Sequence, residues 1–131
     1  MSNYKTRVYL EDTDRFGLVY HANYIKYFER GRTEWLREQG VSLEDVFQSG
    51  YKILVAKIDV EFLSPAHLDY QLNVQTELSK MKMSIADFSQ KLVQDSTNRL
   101  IAKANVRLVA LDSNDELCHI SKIINKEVLN G

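Results

Sequence analysis

Hydrophobic residues recur along this chain with two different periods, and the change of period divides it into elements. From residue 23 to residue 39, apolar side chains fall at helical spacing with charged residues opposite them, which predicts an amphipathic helix. A helix of 17 residues is about 25 Å long. A glycine inside a helix costs about 1 kcal/mol relative to alanine, so Gly31 in the apolar stripe predicts close backbone packing. Gly40 marks the expected end of the helix.

After residue 50 the hydrophobic period changes to two, the period of half-buried strands. Four long strands are predicted, separated by turn residues, at 51–63, 68–80, 83–94 and 100–110. A shorter alternating run at residues 4–10 predicts one more strand before the helix. Short helical segments are expected at residues 41–49 and, at the end of the chain, at 121–129.

Two local irregularities are expected in the strands. The strands before and after residues 80–82 are predicted to join there by a tight turn, and the alternation slips around Asp87 and Phe88 as at a β-bulge. A single long helix can bury its apolar stripe only by lying across the sheet. The predicted fold is therefore α+β, a long antiparallel sheet wrapped around one central helix, in a single domain of residues 1–131.

The loop between the first strand and the helix, at residues 11–24, concentrates groups that carry chemistry. The first backbone N–H groups of a helix lack intrahelical partners and carry partial positive charge, so the amides near residues 21–24 can stabilise an oxyanion. Asp14 is placed to act as base or nucleophile, and Gly17 allows a bend and the close approach of a ligand. This arrangement is suited to acyl transfer.

Charge and composition exclude several classes of function. Lys and Arg number 17 against 18 Asp and Glu, for a net charge of −1, which argues against binding to nucleic acid or to an anionic membrane. A single cysteine, Cys118, excludes an intrachain disulfide and a thiolate metal cluster. No cofactor or metal is expected, since His67 and His119 lack partners at ligand spacing. Without a leader or membrane-spanning run, the chain is expected to be cytoplasmic.

The loop and helix together carry a recognisable signature. Residues 7–24 read RVYLEDTDRFGLVYHANY, and residues 27–34 read YFERGRTE. This run resembles hot-dog acyl-CoA thioesterases of the 4-hydroxybenzoyl-CoA thioesterase class, and most closely the bacterial branch associated with the Tol–Pal envelope system (YbgC type). The run FLSPAHLD at residues 62–69 resembles a second, weaker motif of that branch. The chain departs from the branch pattern at Arg15 and Phe16, where small residues usually stand.

The resemblance implies a hot-dog fold, hydrolysis of acyl-CoA, and a homodimer or a dimer of dimers, that is a tetramer, with sites at subunit interfaces. By motif position, Asp14 matches the catalytic aspartate, and the backbone amide of His21 matches the N–H that polarises the carbonyl. The side chain of His21 is also implicated in this branch. Further substrate-binding candidates, including two lysines suited to the phosphates of CoA, are Gly17, Tyr20, Asn23, Tyr24, Lys80 and Lys82.

Several alternatives stay open at this point. Asp14 either attacks the thioester directly, forming a mixed anhydride, or activates water. His21 orients substrate or water, or protonates the leaving thiolate, and Glu29 has no assigned role. The alternative functions are a thioesterase directed at acyl carrier protein and a non-hydrolytic acyl-thioester binding protein, while a hot-dog dehydratase is disfavoured by the arrangement of Asp14 and His21.

Three further residues have an expected role. Lys103 and Arg107 are additional candidates for binding the phosphates of CoA, and Asp12 is interpreted as fixing the loop.

Overall fold

The computed structural model describes residues 1–124 and places five strands in one antiparallel sheet. The strands are β1 (Ser2–Arg7), β2 (Lys52–Phe62), β3 (Gln71–Lys82), β4 (Ile85–Gln94) and β5 (Leu100–Leu111), in the spatial order β1-β3-β4-β5-β2. Two helices, α1 (Asn23–Glu38) and α2 (Leu43–Gln48), precede β2. The predicted α+β fold is confirmed, and α1 agrees with its predicted bounds to within one residue.

Helix α1 lies across one face of the sheet and covers the hydrophobic core. Its predicted stripe is buried, with Phe28 fully inaccessible and Trp35 4% exposed. The ring of Trp35 packs edge-on against that of Phe88 in β4, with centroids 5.1 Å apart. Burying each side chain of this size contributes about 1.5–3 kcal/mol relative to leaving it exposed, so the helix-to-sheet contact stabilises the core.

The close packing predicted at Gly31 is confirmed. A Cβ atom at this position would lie 2.5 Å from Cγ1 of Val74 and 2.9 Å from Oγ1 of Thr76, both in β3. Real Cβ contacts essentially never reach such distances, so only glycine lets the helix approach the sheet this closely.

Beside Gly31 lies a buried polar cluster that the hydrophobic pattern did not predict. Nε2 of Gln90 donates to the carbonyl oxygen of Phe28 at 2.8 Å and to Oγ1 of Thr76 at 2.9 Å. Nη1 of Arg32 donates to Oε1 of Gln90 at 3.1 Å. Gln90 is fully buried and Arg32 is 5% exposed, so these hydrogen bonds satisfy polar groups inside the core.

The first strand is shorter than predicted. Residues 4–10 were expected to be extended, whereas β1 ends at Arg7 and a 3-10 turn follows at Leu10–Asp12. The side chain of Asp12 causes this change, because its Oδ2 accepts a hydrogen bond from the backbone N–H of Tyr9 at 2.9 Å. Leu10, the last apolar residue of the alternating run, is 75% exposed.

The hairpin between β3 and β4 also differs from the prediction. The turn falls at residues 83–84, with Met83 at a φ of 53°, so Lys80 and Lys82 lie within β3. The register shifts between Leu78 and Lys80, which makes Ser79 the bulged residue. The slip predicted at Asp87 and Phe88 is therefore real, but the extra residue belongs to the opposite strand.

Strand β2 forms one edge of the sheet and pairs with β5. The final predicted helix is replaced at its start by a 3-10 turn at Ile120–Lys122, and residues 125–129 of that prediction lie outside the described residues. In the described part of the chain, no helix is both long and apolar enough to cross a membrane.

Candidate active site

The loop that joins β1 to α1 is folded around Asp14. Oδ1 of Asp14 accepts hydrogen bonds from the backbone N–H groups of Phe16 at 2.8 Å and Leu18 at 3.4 Å. The turn closes through Gly17, whose φ is 75° and whose N–H donates to the Asp14 carbonyl oxygen at 3.1 Å. Within residues 1–124, Oδ2 of Asp14 has no hydrogen-bond partner. One carboxylate oxygen thus forms the turn, and the other is available to a ligand.

Asp14 opens on a groove of about 370 Å³. His21 and Tyr24 line one side of this groove, and residues 62–65, which follow from the end of β2, line the other. The two sides are tied together, because the N–H of Val19 donates to the carbonyl oxygen of Ala66 at 2.9 Å. The loop, the start of α1 and the end of β2 therefore enclose one site.

The start of α1 leaves few free amides. The N–H of Asn23 donates to the carbonyl oxygen of Tyr20 at 2.8 Å, and that of Tyr24 donates to the carbonyl oxygen of His21 at 3.4 Å. Among the described residues, no protein acceptor receives the N–H of His21 or of Ala22. Of the amides expected at residues 21–24, these two are left for an oxyanion.

The side chains around the helix start have separate surroundings. The imidazole of His21 is exposed and packs against the ring of Tyr20, with centroids 4.5 Å apart. Nδ2 of Asn23 lies 3.4 Å from Oδ1 of Asp12, so the Asn23 side chain is directed to the loop. Because Asp12 also binds the Tyr9 amide, its interpretation as a loop-fixing residue is confirmed.

Two phenols beside the loop remain protonated at neutral pH. Burial raises the pKa of Tyr24; an interaction with the Ala66 backbone opposes this increase and the negative charge of Asp14 adds to it. The pKa of Tyr27 is raised still more, first by burial and then by Asp12. Tyr24 is thus a neutral hydroxyl next to the groove and can serve as a donor, not as a base.

The two residues that depart from the branch pattern point away from the groove. Phe16 is 75% exposed, and the guanidinium carbon of Arg15 lies 5.7 Å from the centre of its ring. Neither side chain is among those that line the groove. The bulky side chains of Arg15 and Phe16 therefore do not fill the groove beside Asp14.

The hairpin lysines, Lys80 and Lys82, lie away from the groove within one chain. Lys82 is paired with Ile85 at the hairpin, whereas Phe62 is paired with Ala102 at the far end of β5. Lys103 is 3.8 Å from Glu61 across the outer face of the sheet.

Arg107 is engaged by a neighbouring carboxylate. It donates two hydrogen bonds to Asp87, at 2.8 and 3.0 Å. These bonds lower the pKa of Asp87 and raise that of Arg107.

One wall of the groove was not predicted from the sequence. Phe62, Leu63, Ser64 and Pro65 line it, and the ring of Phe62 lies 5.2 Å from that of Tyr24. Phe62 lies in the strand predicted at residues 51–63, but its side chain is 53% exposed. The resemblance of residues 62–69 to a family motif was the available signal for this wall.

The sequence matches a known protein family along most of its length. The family model of the thioesterase-like superfamily matches residues 8–126. The chain is 41% identical to the acyl-CoA thioester hydrolase YbgC of Escherichia coli O6:H1 over 106 residues, which is 81% of this chain and 78% of the relative. It is 35% identical to the acyl-CoA thioesterase YbgC of Haemophilus influenzae over 111 residues, which is 84% of this chain and 80% of the relative.

The fold is also found among solved structures. A probable thioesterase from Bartonella henselae superposes with a TM-score of 0.79 at 27% identity, and the match covers 89% of this chain and 95% of that one. The resemblance read from the Asp14 loop is therefore confirmed. This chain belongs to the thioesterase-like superfamily of hot-dog proteins, in company with the YbgC-type acyl-CoA thioesterases.

Proposed function

We propose that this chain, as one domain spanning residues 1–131, hydrolyses acyl-CoA thioesters to a free acid and CoA. The observation that carries the proposal is that Asp14, with an unengaged Oδ2, and His21, whose backbone N–H has no acceptor among the described residues, line the same groove. A carboxylate can supply the base or nucleophile for thioester hydrolysis, and a free helix-start amide can stabilise the oxyanion. The YbgC relatives are acyl-CoA thioesterases, which supports CoA as the carrier.

In this proposal the thioester carbonyl oxygen accepts hydrogen bonds from the backbone amides of His21 and Ala22. Negative charge develops on that oxygen when the carbonyl carbon is attacked, and the N-terminal end of α1 stabilises it. Losing one such donor typically lowers the rate by about 10²–10³. The amides need no reorganisation during the reaction, because the turns at Tyr20 and His21 fix the backbone.

Asp14 supplies the reaction with its nucleophile by one of two routes. As a base, Oδ2 takes a proton from water, whose oxygen attacks the carbonyl carbon; the carbon–sulfur bond then breaks and the thiolate leaves with a proton. As a nucleophile, Oδ2 attacks directly, the thiolate leaves, and water hydrolyses the mixed anhydride. In a single turnover in ¹⁸O-water, label found on Asp14 identifies the nucleophilic route, because water that attacks the aspartyl carbonyl of the anhydride leaves its oxygen there, whereas the base route labels only the product acid.

The remaining residues of the loop bind or position the substrate. The exposed imidazole of His21 protonates the departing thiolate of CoA. The neutral hydroxyl of Tyr24 contacts the reacting group, and Gly17 closes the turn that holds Asp14 beside it. Tyr20 and Asn23 position His21 and the loop. Replacing His21 with glutamine is expected to lower kcat more than it raises KM, because the role proposed is in leaving-group departure.

A homodimer would explain the distance between Lys80 or Lys82 and the groove of their own chain. Among the described residues, strand β2 pairs along one edge only, with β5, and its residues Leu54 and Val55 are 51% and 45% exposed. Free edges with apolar side chains favour pairing with another chain. We assign Lys80 and Lys82 to the CoA phosphates bound at the groove of a second copy. Sedimentation of the native chain and of Leu54→Lys tests the dimer, since a charge at the edge would dissociate it.

The first experiment is steady-state hydrolysis of short, long and aromatic acyl-CoAs, with detection of the released thiol. Asp14→Asn is expected to lower kcat by about 10³ or more. Glu11→Gln, an exposed change in the same loop, is the matched control and is expected to retain full activity. Full activity in Asp14→Asn would contradict the role of Asp14.

The alternative functions give different results in the same assay. A thioesterase directed at acyl carrier protein would hydrolyse the acylated carrier faster than acyl-CoA, and free CoA would not compete. A non-hydrolytic binding protein would bind acyl-CoA without releasing thiol. Either result would replace the proposal of an acyl-CoA thioesterase.

A further inference from the structure

The wall of the groove formed by residues 62–65 carries one polar side chain, that of Ser64. Ser64 is half-buried, and its Oγ accepts a hydrogen bond from Nε of Arg99 at 3.1 Å. Arg99 itself is exposed. A guanidinium is therefore held at the edge of the groove, one hydrogen bond from a residue that lines it.

The backbone fixes both partners of this contact. The N–H groups of Leu63 and Ser64 donate to the same carbonyl oxygen, that of Ile101, at 2.8 and 3.0 Å. Arg99 ends the turn between β4 and β5, and its carbonyl oxygen accepts a hydrogen bond from the N–H of Gln94 at 2.9 Å. The turn and the wall thus hold the base of the Arg99 side chain beside the groove.

The charge of Arg99 lacks a close counterion. Within residues 1–124, no carboxylate oxygen lies within 4.0 Å of its guanidinium. Ser64 takes one of the five N–H donors of this group. The remaining donors form a planar fork, which binds phosphate in two-point geometry. An anion is therefore the ligand expected at this edge of the groove.

We propose that Arg99 binds the phosphate that ends the pantetheine arm of the thioester substrate. The inference rests on the proposed hydrolysis at Asp14, which places the thioester in the groove. An arm that leaves the groove past Ser64 carries its phosphate to the guanidinium. CoA and acyl carrier protein both present this phosphate. CoA carries further phosphate on its nucleotide, which remains for Lys80 and Lys82 of a second copy.

The competing ligand of Arg99 is a carboxylate on the acyl group. Solvation argues against it, because a charge drawn into a groove lined by Leu18, Val19 and Phe62 would lose water without gaining a buried partner. A phosphate at the exposed guanidinium stays hydrated while the apolar part of the substrate occupies the groove. The location of Arg99 at the edge therefore favours the phosphate.

The test compares acyl-pantetheine with acyl-phosphopantetheine, two thioesters that differ only in the phosphate. For the native full chain, the phosphate is expected to lower KM about tenfold and to leave kcat unchanged, since charge-assisted hydrogen bonds are roughly twice as strong as neutral ones. Arg99→Met is expected to abolish this gain and to leave the kinetics of acyl-pantetheine at native values. Ser64→Ala keeps the charge and removes the acceptor of Nε, so it is expected to reduce the gain.

Arg30→Met is the matched control, because it removes an exposed arginine that does not line the groove. It is expected to retain the full gain from the phosphate. The proposal is overturned if Arg99→Met retains the gain, if it raises KM equally for both thioesters, or if its effect follows a carboxylate on the acyl group instead. Acyl-CoA and acylated carrier protein, compared with acyl-phosphopantetheine, identify which source of the phosphate binds more tightly.

Binding measurements separate failure of this site from failure of the proposed function. If the native chain hydrolyses neither thioester, the proposed hydrolysis fails, and titration calorimetry with phosphopantetheine and pantetheine tests Arg99 directly. A preference for phosphopantetheine that Arg99→Met removes would then support the site, and equal binding would overturn it. If the native chain hydrolyses both thioesters with the same KM, hydrolysis stands and the phosphate site is wrong.

Discussion

Oδ1 of Asp14 lies 2.8 Å from the backbone nitrogen of Phe16 and accepts its hydrogen bond. The same carboxylate therefore shapes the loop and offers Oδ2 to the groove. Removing the side chain would disturb both functions at once. An isosteric change separates them, because asparagine keeps an oxygen at the position of Oδ1 and loses the negative charge.

The first prediction follows from this double role. The free energy of unfolding of Asp14→Asn is expected to lie within about 0.5 kcal/mol of the native value. That of Asp14→Ala is expected to be lower by about 1–2 kcal/mol, because two loop amides lose their acceptor. Denaturant unfolding monitored by circular dichroism gives both values. Equal stability of the two variants would show that the loop does not depend on this carboxylate.

A second prediction concerns the amide of Ala22, whose φ of −67° is the value that proline adopts. Ala22→Pro removes an N–H that has no acceptor among the described residues. If this amide polarises the thioester, kcat/KM is expected to fall by about 10²–10³. Acyl-CoA hydrolysis by the purified variant measures the effect.

Ala22→Ser is the control for that prediction, because it keeps the N–H and adds a hydroxyl that can cap α1. Its activity is expected to stay near the native value. Since proline also restricts the residue before it, the unfolding free energy of Ala22→Pro is measured alongside. A folded and fully active Ala22→Pro would leave the amide of His21 as the donor.

The third prediction tests the contact between α1 and the sheet. Gly31→Ala places a Cβ 2.5 Å from Cγ1 of Val74, so helix or sheet must move. Overpacking of this kind costs typically about 1–3 kcal/mol, which outweighs the gain of about 1 kcal/mol in helix propensity. Chemical denaturation is expected to show a less stable protein even though alanine favours helices.

A double-mutant cycle supplies the control for Gly31→Ala. Val74→Ala removes Cγ1, so the added Cβ is expected to cost less in the Val74→Ala background than in the native one. The same cost in both backgrounds would mean that the clash with Val74 does not limit the packing. A stabilised Gly31→Ala would contradict the close approach altogether.

The hydrophobic period was sufficient to predict the helix and strands that bury one apolar face. The stripe of α1 and the inward series of β3, from Leu72 to Leu78, are buried as the alternation requires. Where polar side chains bind the backbone, the pattern was misleading: Asp12 ends β1 by binding Tyr9, and the bulge at Ser79 moves the hairpin turn beyond Lys82. Such effects depend on hydrogen bonds and register, which hydrophobicity does not encode.

The candidate site was predictable only in its local part. Asp14, Gly17 and His21 are close in sequence, so one motif locates them. The opposite wall comes from the end of β2, about 40 residues later, and it reaches the loop through sheet pairing and through the hydrogen bonds from Val19 to Ala66 and from Leu68 to Gly17. The burial of Arg32 against Gln90, outside this site, was also not predicted, because a charged residue beside the apolar stripe of a helix is usually solvated.

The final prediction uses the ion pair between Arg107 and Asp87 on the outer face of the sheet. Asp87 has a pKa held below its usual value of about 3.9 by two hydrogen bonds from Arg107. A carboxyl whose pKa is lower in the folded state stabilises the fold above the unfolded-state pKa, and this contribution is lost as the pH falls through the folded-state value. Arg107→Met is therefore expected to be destabilising at pH 7, and the difference in unfolding free energy from the native chain is expected to shrink below about pH 4.

A double-mutant cycle with Asp87→Asn, measured by denaturant unfolding at both pH values, isolates the ion pair from other effects of acid. Lys103→Met, which removes the looser contact with Glu61, is the control. A coupling that persists unchanged into acid would show that hydrogen bonding to a neutral carboxyl, not the ion pair, holds Asp87 against Arg107.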